Sequence, residues 1–407
     1  MKEEKKPASS AGKFPEGFLW GAAASSYQTE GDNSNSDWWE WEQKGKTKDK
    51  SGAACDYWNR WREDHELLSE LGVNSFRLSL EWSRIEPEEG VFSVAAIDQY
   101  REMLEDLKKR NIKTQVTFWW WTNPIWFQKK YGWHKKASVK FFTEYVEKVA
   151  KELGDSIDMF QVLNEPMVPL GQGYLTGMFP PGKRNPLKLW RALRNIARAY
   201  IESYKIIHGI KPNAQVGMTH LYNWYESGKS NIFGKIIYGI SKWFRVMSFN
   251  RRIRGYQDFF GLNYYRLGKI NLLKIKSKKI NFFIEEDENN IMGWIAYPEG
   301  IYKAIKEASQ DYQIPIYITE NGFPTNKGIE DGERVKFIQD HLYFIKKAID
   351  EGADVRGYNS WSLMDNYEWL YGFEPRFGLI EIDYKTLERK PRKSFYAYKK
   401  IIENNGI

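Results

Sequence analysis

An α/β fold, a single (β/α)8 (TIM) barrel with its active site at the C-terminal ends of the strands, is the fold class this sequence predicts. Three observations predict it. Short β-rich runs alternate with longer amphipathic stretches, a pattern that argues for a parallel sheet covered by helices. Eight such runs fit in one chain of 407 residues, and barrels of this kind routinely exceed the usual domain length. The glycine fingerprint of a dinucleotide fold is missing after the first run, and an open sheet would leave edges that closure removes. GQGYLTG at 171–177 has the wrong spacing and follows a loop.

The predicted strands are residues 18–25, 75–80, 113–120, 159–165, 215–220, 259–265, 315–320 and 356–363. Between them, DYWNRWREDHELLSELG places apolar residues near every third or fourth position and ends on Gly72, a helix stop. IDQYREMLEDLKKRN and VKFFTEYVEKVAKELG share that period. No strong linker divides the chain, so residues 1–13 are expected to be a polar tail and 14–407 one barrel domain. The segment 226–255, with NIFGKIIYGISKWFRVMSF, reads as an amphipathic insertion whose apolar face packs on the barrel or over the cleft.

Composition narrows the function classes. A chain that is 42% hydrophobic has material for a large core. Its 18 Trp, 25 Tyr and 23 Phe either fill that core or line a cleft with flat faces on which sugar rings stack, and composition leaves both open. The surplus of 61 basic over 53 acidic residues gives +8, mild for this length. Its densest run, RLGKINLLKIKSKK at 266–279, reads as a solvated loop, so no nucleic-acid partner is expected. The one cysteine, Cys55, cannot form an intramolecular disulfide, and no Cys/His cluster has zinc spacing. No metal and no cofactor are expected. The N-terminus lacks an apolar signal core and no run of 18 apolar residues occurs, so the expectation is a cytoplasmic chain with no membrane partner.

In this fold, polar residues that end apolar runs are site candidates. Strand four ends in Asn164-Glu165-Pro166 and strand seven in Thr319-Glu320-Asn321-Gly322. Strand two carries Arg77, strand six Asn263 and Tyr265, and strand eight Trp361. A lone Glu at a strand end is usually a solvated or ion-paired loop residue. Two of them, each beside Asn and each at the same face of a barrel, suit glycosidic bond cleavage. One must be protonated to assist the leaving oxygen, and the other ionised to meet an oxocarbenium-like centre. Carboxyls roughly 5 Å apart retain configuration, and about 6.5–9.5 Å leaves room for water and inverts it.

Several motifs in order along nearly the whole chain carry a resemblance: FPEGFLWGAAASSYQTEG, FRLSLEWSRIEPEEG, LNEP, GLNYY, YITENG, WSLMDNYEWLYGF and RFGL. The chain resembles glycoside hydrolase family 1, the β-glucosidase-like enzymes. The resemblance implies a retaining β-glycosidase in which Glu165 is the acid/base and Glu320 the nucleophile. It implies that Asn164 bonds the sugar 2-hydroxyl, that Arg77 and Tyr265 keep Glu320 ionised, and that Asn263 stands behind the nucleophile. Gln28, Glu368 and Trp369 match groups that hold the glycone hydroxyls, and Trp361 matches the indole under the ring. A carboxylate at Glu368 would repel a 6-phosphate, so unmodified β-linked glucosides or related glycosides are the expected substrates.

One strand departs from the family pattern. Counting back from Pro124 in TFWWWTNP puts Trp120 where the family has a histidine that bonds the glycone 3-hydroxyl. Indole offers one N–H, no acceptor and more bulk. Trp120 therefore blocks the subsite, or stacks on the sugar, or turns away to pack the barrel top. None of His65, His134, His208, His220 and His341 sits where it obviously compensates. The alternative function is a catalytically weakened barrel that binds glycans or aromatic ligands.

Overall fold

The computed structural model describes residues 12–227, 248–271, 283–284, 287 and 290–407. Eight parallel strands close into a barrel in the order in which the chain makes them. They are β1 (Leu19–Ala23), β2 (Ser75–Ser79), β3 (Lys113–Trp119), β4 (Met159–Asn164), β5 (Gln215–Leu221), β6 (Phe259–Asn263), β7 (Ile316–Asn321) and β8 (Val355–Trp361). β8 pairs with β1, Trp361 beside Ala23, and that pairing removes the sheet edge. Every expected strand is present, with ends moved by at most two residues.

A helix follows each strand: α1 (Tyr57–Leu71), α2 (Val94–Lys109), α3 (Ser138–Leu153), α4 (Pro186–Ile210), α5 (Ser248–Ile253), α6 (Pro298–Tyr312), α7 (Gly332–Asp350) and α8 (Lys393–Asn404). α1 stops where expected, because Gly72 takes φ 79° and turns its N–H back to the Leu68 and Ser69 carbonyls. α4 begins at Asn185, whose side chain accepts from the Lys188 N–H at 3.0 Å, with Pro186 as the first helical residue. The inward stripe of α2, with Tyr100, Met103, Leu104 and Leu107, is fully buried against the barrel. Truncating any one of these to Ala costs about 2–5 kcal/mol.

The barrel interior is not wholly apolar. Gln115 bridges neighbouring strands, donating to Ser75 Oγ at 2.7 Å and accepting from Asn359 at 3.1 Å and from Gln161 at 3.2 Å. A cross-barrel polar layer of this kind fixes inward rotamers beneath the site, because each buried amide must be satisfied. The chain ends meet each other: Phe14 N–H donates to the Asn405 carbonyl at 2.8 Å and Trp20 Nε1 to Asn405 Oδ1 at 2.9 Å. The aromatics form a main core and a separate buried cluster containing Trp38, Trp120, Trp361 and Trp369.

Most of the 226–255 segment and of the basic 266–279 run lies outside the described residues. Among the described residues, Trp224–Ser227, Leu267–Asn271 and Phe283–Ile284 form a small sheet that the sequence did not signal. No helix among them is long and apolar enough to cross a membrane, and no group of His, Cys, Asp and Glu is arranged to hold a metal.

Candidate active site

The two glutamates stand at the mouth ends of β4 and β7, two strands that face each other with β5 and β6 between them. Glu165 follows the last residue of β4 in left-handed backbone, φ 44°, and its N–H donates to the Thr219 carbonyl at 2.9 Å. A non-glycine residue there is strained and persists only where the surroundings impose it, as at functional sites. Glu320 lies within β7 and is followed by Asn321 and Gly322. Gly322 must lack a side chain, because a Cβ there would collide with the Trp361 carbonyl of the next strand. Both carboxyls are buried, at 6% and 3% exposure.

Their surroundings differ in kind. Glu320 receives hydrogen bonds from the Arg77 guanidinium and the Tyr265 hydroxyl, one on each carboxylate oxygen. Glu165 Oε1 accepts from the neutral Asn263 amide at 2.7 Å. Burial raises Glu165 to about 8, with the charge of Glu320 adding to it. Burial also pushes Glu320 up, but the Arg77 charge and the Tyr265 hydrogen bond oppose it. Of the pair, Glu320 is the one whose bonded neighbours favour the anion. Burial holds the Tyr265 phenol far above its usual range, so it remains a donor.

Arg77, fully buried on β2, is the hub. It donates to Gln161, to Asn164 Oδ1 at 2.7 Å and to Thr219 Oγ1 at 3.1 Å, besides Glu320. Asn164, expected to meet the sugar 2-hydroxyl, is therefore oriented through its carbonyl, leaving its amide N–H groups as the donors. Asn263 does not stand only behind the nucleophile. It binds Glu165 directly, also contributes a hydrogen bond to Glu320, and accepts from Thr319 at 2.7 Å.

Across the mouth, Gln28 on the Ser26–Thr29 turn donates to Asn366 at 2.9 Å, while its Oε1 is buried without a partner. Glu368 accepts from Trp361 Nε1 at 3.4 Å, and burial raises its carboxyl to about 8. Burial thus favours the neutral form of the Glu368 carboxyl. Its charged neighbours are the carboxylates of Glu320 and Asp365. Trp369, at φ 53°, stacks on Tyr27 with centroids 5.6 Å apart.

Trp120 does not turn away. Its ring lies 4.2 Å from the Arg77 guanidinium carbon and stacks on Trp361 at 5.5 Å, with 3% exposure. Its neighbours do the packing: Trp119 donates to Asn123 and meets Trp133, and Trp121, at φ 72°, donates to the Asn164 carbonyl at 3.1 Å. No histidine takes over. His65 bonds Asp106 and Tyr57, His208 bonds Asp258, His220 bonds Gln257, His341 bonds the Phe337 carbonyl, and His134 packs near Tyr174. Gln161, Thr219 and Thr319 escaped the sequence reading. Their signal was a polar residue inside an otherwise apolar strand.

The model of Glycosyl hydrolase family 1 matches residues 10–236 and 244–407. The chain is 32% identical to β-glucosidase A of Thermotoga maritima over 97% of its own length and 99% of that protein, and 29% identical to a β-galactosidase of Pyrococcus woesei over 97% and 98%. Among solved structures, a β-glycosidase from Pyrococcus horikoshii is 40% identical with a TM-score of 0.88, covering 97% of this chain and 96% of that one. The Thermotoga maritima β-glucosidase in complex with glucoimidazole has a TM-score of 0.91 at 31% identity, covering 97% and 99%. A family match running almost end to end, over a closed barrel with a carboxyl at the mouth ends of β4 and β7, makes this chain a member of glycosyl hydrolase family 1.

Proposed function

We propose that the chain hydrolyses terminal, non-phosphorylated β-D-glycosyl residues with retention of configuration, Glu165 serving as acid/base and Glu320 as nucleophile within one domain spanning 14–407. The unequal surroundings of the two buried carboxyls carry this reading. Glu320, bonded by Arg77 and Tyr265, is prepared to be an anion. Glu165, bonded by a neutral amide and raised to about 8, is prepared to hold a proton at neutral pH. In the first displacement Glu165 gives its proton to the glycosidic oxygen as Glu320 bonds the anomeric carbon. In the second, Glu165 takes a proton from water, which attacks the same carbon and frees Glu320.

Sugar-holding roles follow from placement. The unpartnered Gln28 Oε1 is an acceptor awaiting a hydroxyl, and Glu368 in its protonated form both donates and accepts. The Glu368 carboxyl supports a glycone without phosphate, since its ionised form would repel a dianion. Trp361 offers its indole to the ring, and Trp120 narrows the space beside it. Relatives named as a β-glucosidase and a β-galactosidase support glucosides and galactosides as the first substrates to test. The test is hydrolysis of an aryl β-glucoside with the anomer formed first read by NMR. The β-anomer, lost in Glu320→Gly, is expected; the α-anomer would overturn the mechanism. Absence of turnover alongside tight glycan binding would favour the weakened-barrel alternative.

A further inference from the structure

From Pro166 to Ile201 the chain contains six Lys and Arg and no acidic residue. This stretch includes the first half of α4 and the loop that leads into it from β4, so it lies on one flank of the barrel at the mouth end. On α4 the exposed residues Leu187, Trp190, Arg191, Arg194 and Arg198 recur at helical spacing and make one stripe. Leu187 is 72% exposed and Trp190 49%, and beside them Met178 and Leu175 are 52% and 42% exposed. These are four of the nine large apolar groups exposed among the described residues.

The cations of this flank lack carboxylate partners, although Arg194 lies over the Trp190 ring at 4.5 Å and Arg184 donates to the Thr176 carbonyl at 3.0 Å. The neighbouring helix α3 pairs its exposed lysines with glutamates four residues away, as in Lys148–Glu152 and Lys151–Glu147. Among the described residues, none of Lys183, Arg184, Lys188, Arg191, Arg194 and Arg198 meets a carboxylate within ion-pair distance. The field is strong enough to act on a neighbour: His134 is lowered to about 4 by burial and then by Lys183, Lys188, Lys135 and Arg191. The bias continues in sequence, with seven more Lys and Arg and no acid between 228 and 255, a stretch that ends in α5, which packs on α4.

We propose that this flank is a docking surface for an anionic lipid bilayer, with Leu187, Trp190, Met178 and Leu175 entering the headgroup region and the arginine stripe facing the phosphates. An interfacial surface combines apolar insertion with a basic face, and both halves are present here. The surface is peripheral, so the expectation of no membrane partner is narrowed to spanning. It is independent of the proposed glycosidase chemistry, because none of these residues touches Glu165 or Glu320.

The experiment is sedimentation of the full chain with phosphatidylcholine vesicles containing roughly one-third phosphatidylglycerol, against vesicles of phosphatidylcholine alone. Binding to the anionic vesicles only, released by salt, is expected. Neutralising R191Q/R194Q/R198Q should weaken it about a hundredfold, at about fivefold per cation. L187S/W190S should weaken it roughly tenfold while leaving retention on heparin unchanged. All five positions are exposed, and unaltered aryl glucoside turnover reports that the variants fold. No binding to anionic vesicles at low salt overturns the proposal. So does binding indifferent to both variants, DNA binding that competes with the vesicles and ignores L187S/W190S, or a dimer that W190S dissociates.

Discussion

Replacing Trp120 with histidine exchanges one energetic arrangement for another, and both sides can be sized. In the structure the indole covers Arg77 at 4.2 Å and stacks on Trp361 at 5.5 Å with an interplanar angle of 27°. Losing the cation–π contact costs about 0.5–2 kcal/mol, and losing the aromatic pair about 0.5–1.5 kcal/mol. At about 2 kcal/mol, and with unfolding entropy scaling with chain length, the melting point should fall by about 2–3 °C. The gain lies with the substrate. Imidazole restores a hydrogen bond to a glycone hydroxyl worth about 0.5–1.5 kcal/mol and removes bulk beside Trp361. Trp120→His should therefore raise kcat/KM for an aryl β-glucoside up to about tenfold while lowering Tm. Steady-state kinetics and a thermal melt on the same preparation test it. A fall in kcat/KM, or no change, would refute the view that Trp120 obstructs the glycone subsite and would make it a cover that Arg77 and Glu320 require.

Other perturbations follow from the same contacts. Because Glu165 must carry its proton when the leaving oxygen departs, kcat/KM should decline as pH rises through about 8, and a basic limb near an ordinary carboxyl value would contradict the burial argument. Asn263→Ala removes a bond that favours the charged form of Glu165, so this basic limb should move upward; a downward shift is the contrary result. Tyr265→Phe strips a donor from Glu320 and should carry the acidic limb upward, since the nucleophile then ionises at higher pH. Away from the site, Arg392 holds both oxygens of the buried Asp365 at 2.8 Å, and Arg392→Met should cost about 3–5 kcal/mol by chemical denaturation.

Much of the fold was legible because a barrel repeats one unit. Each strand is a short apolar run bounded by turn residues, and each helix keeps its own period, as α1 does up to Gly72. Strand ends were harder. Residues 120, 165 and 264–265 looked like continuing strand, yet the chain leaves the sheet before them, with left-handed backbone at Trp121 and Glu165. Local propensity does not report such turns when the residues are not glycine. The carboxyl pair was legible because both glutamates sit at strand ends beside asparagine. The polar layer of Gln115, Gln161, Thr219 and Thr319 was not, since strands buried on both faces hide which side chains look inward. The burial that raises Glu368 was equally hidden, because it comes from parts of the chain far apart in sequence.

The most direct measurement is peptide mapping by mass spectrometry after incubation with 2-deoxy-2-fluoroglucosyl fluoride, which slows hydrolysis of a glycosyl-enzyme ester. A fluoroglucosyl adduct is expected on the carboxyl of Glu320, and none in Glu320→Gln. An adduct on Glu165, or an unlabelled enzyme that still turns over aryl β-glucosides, would contradict it.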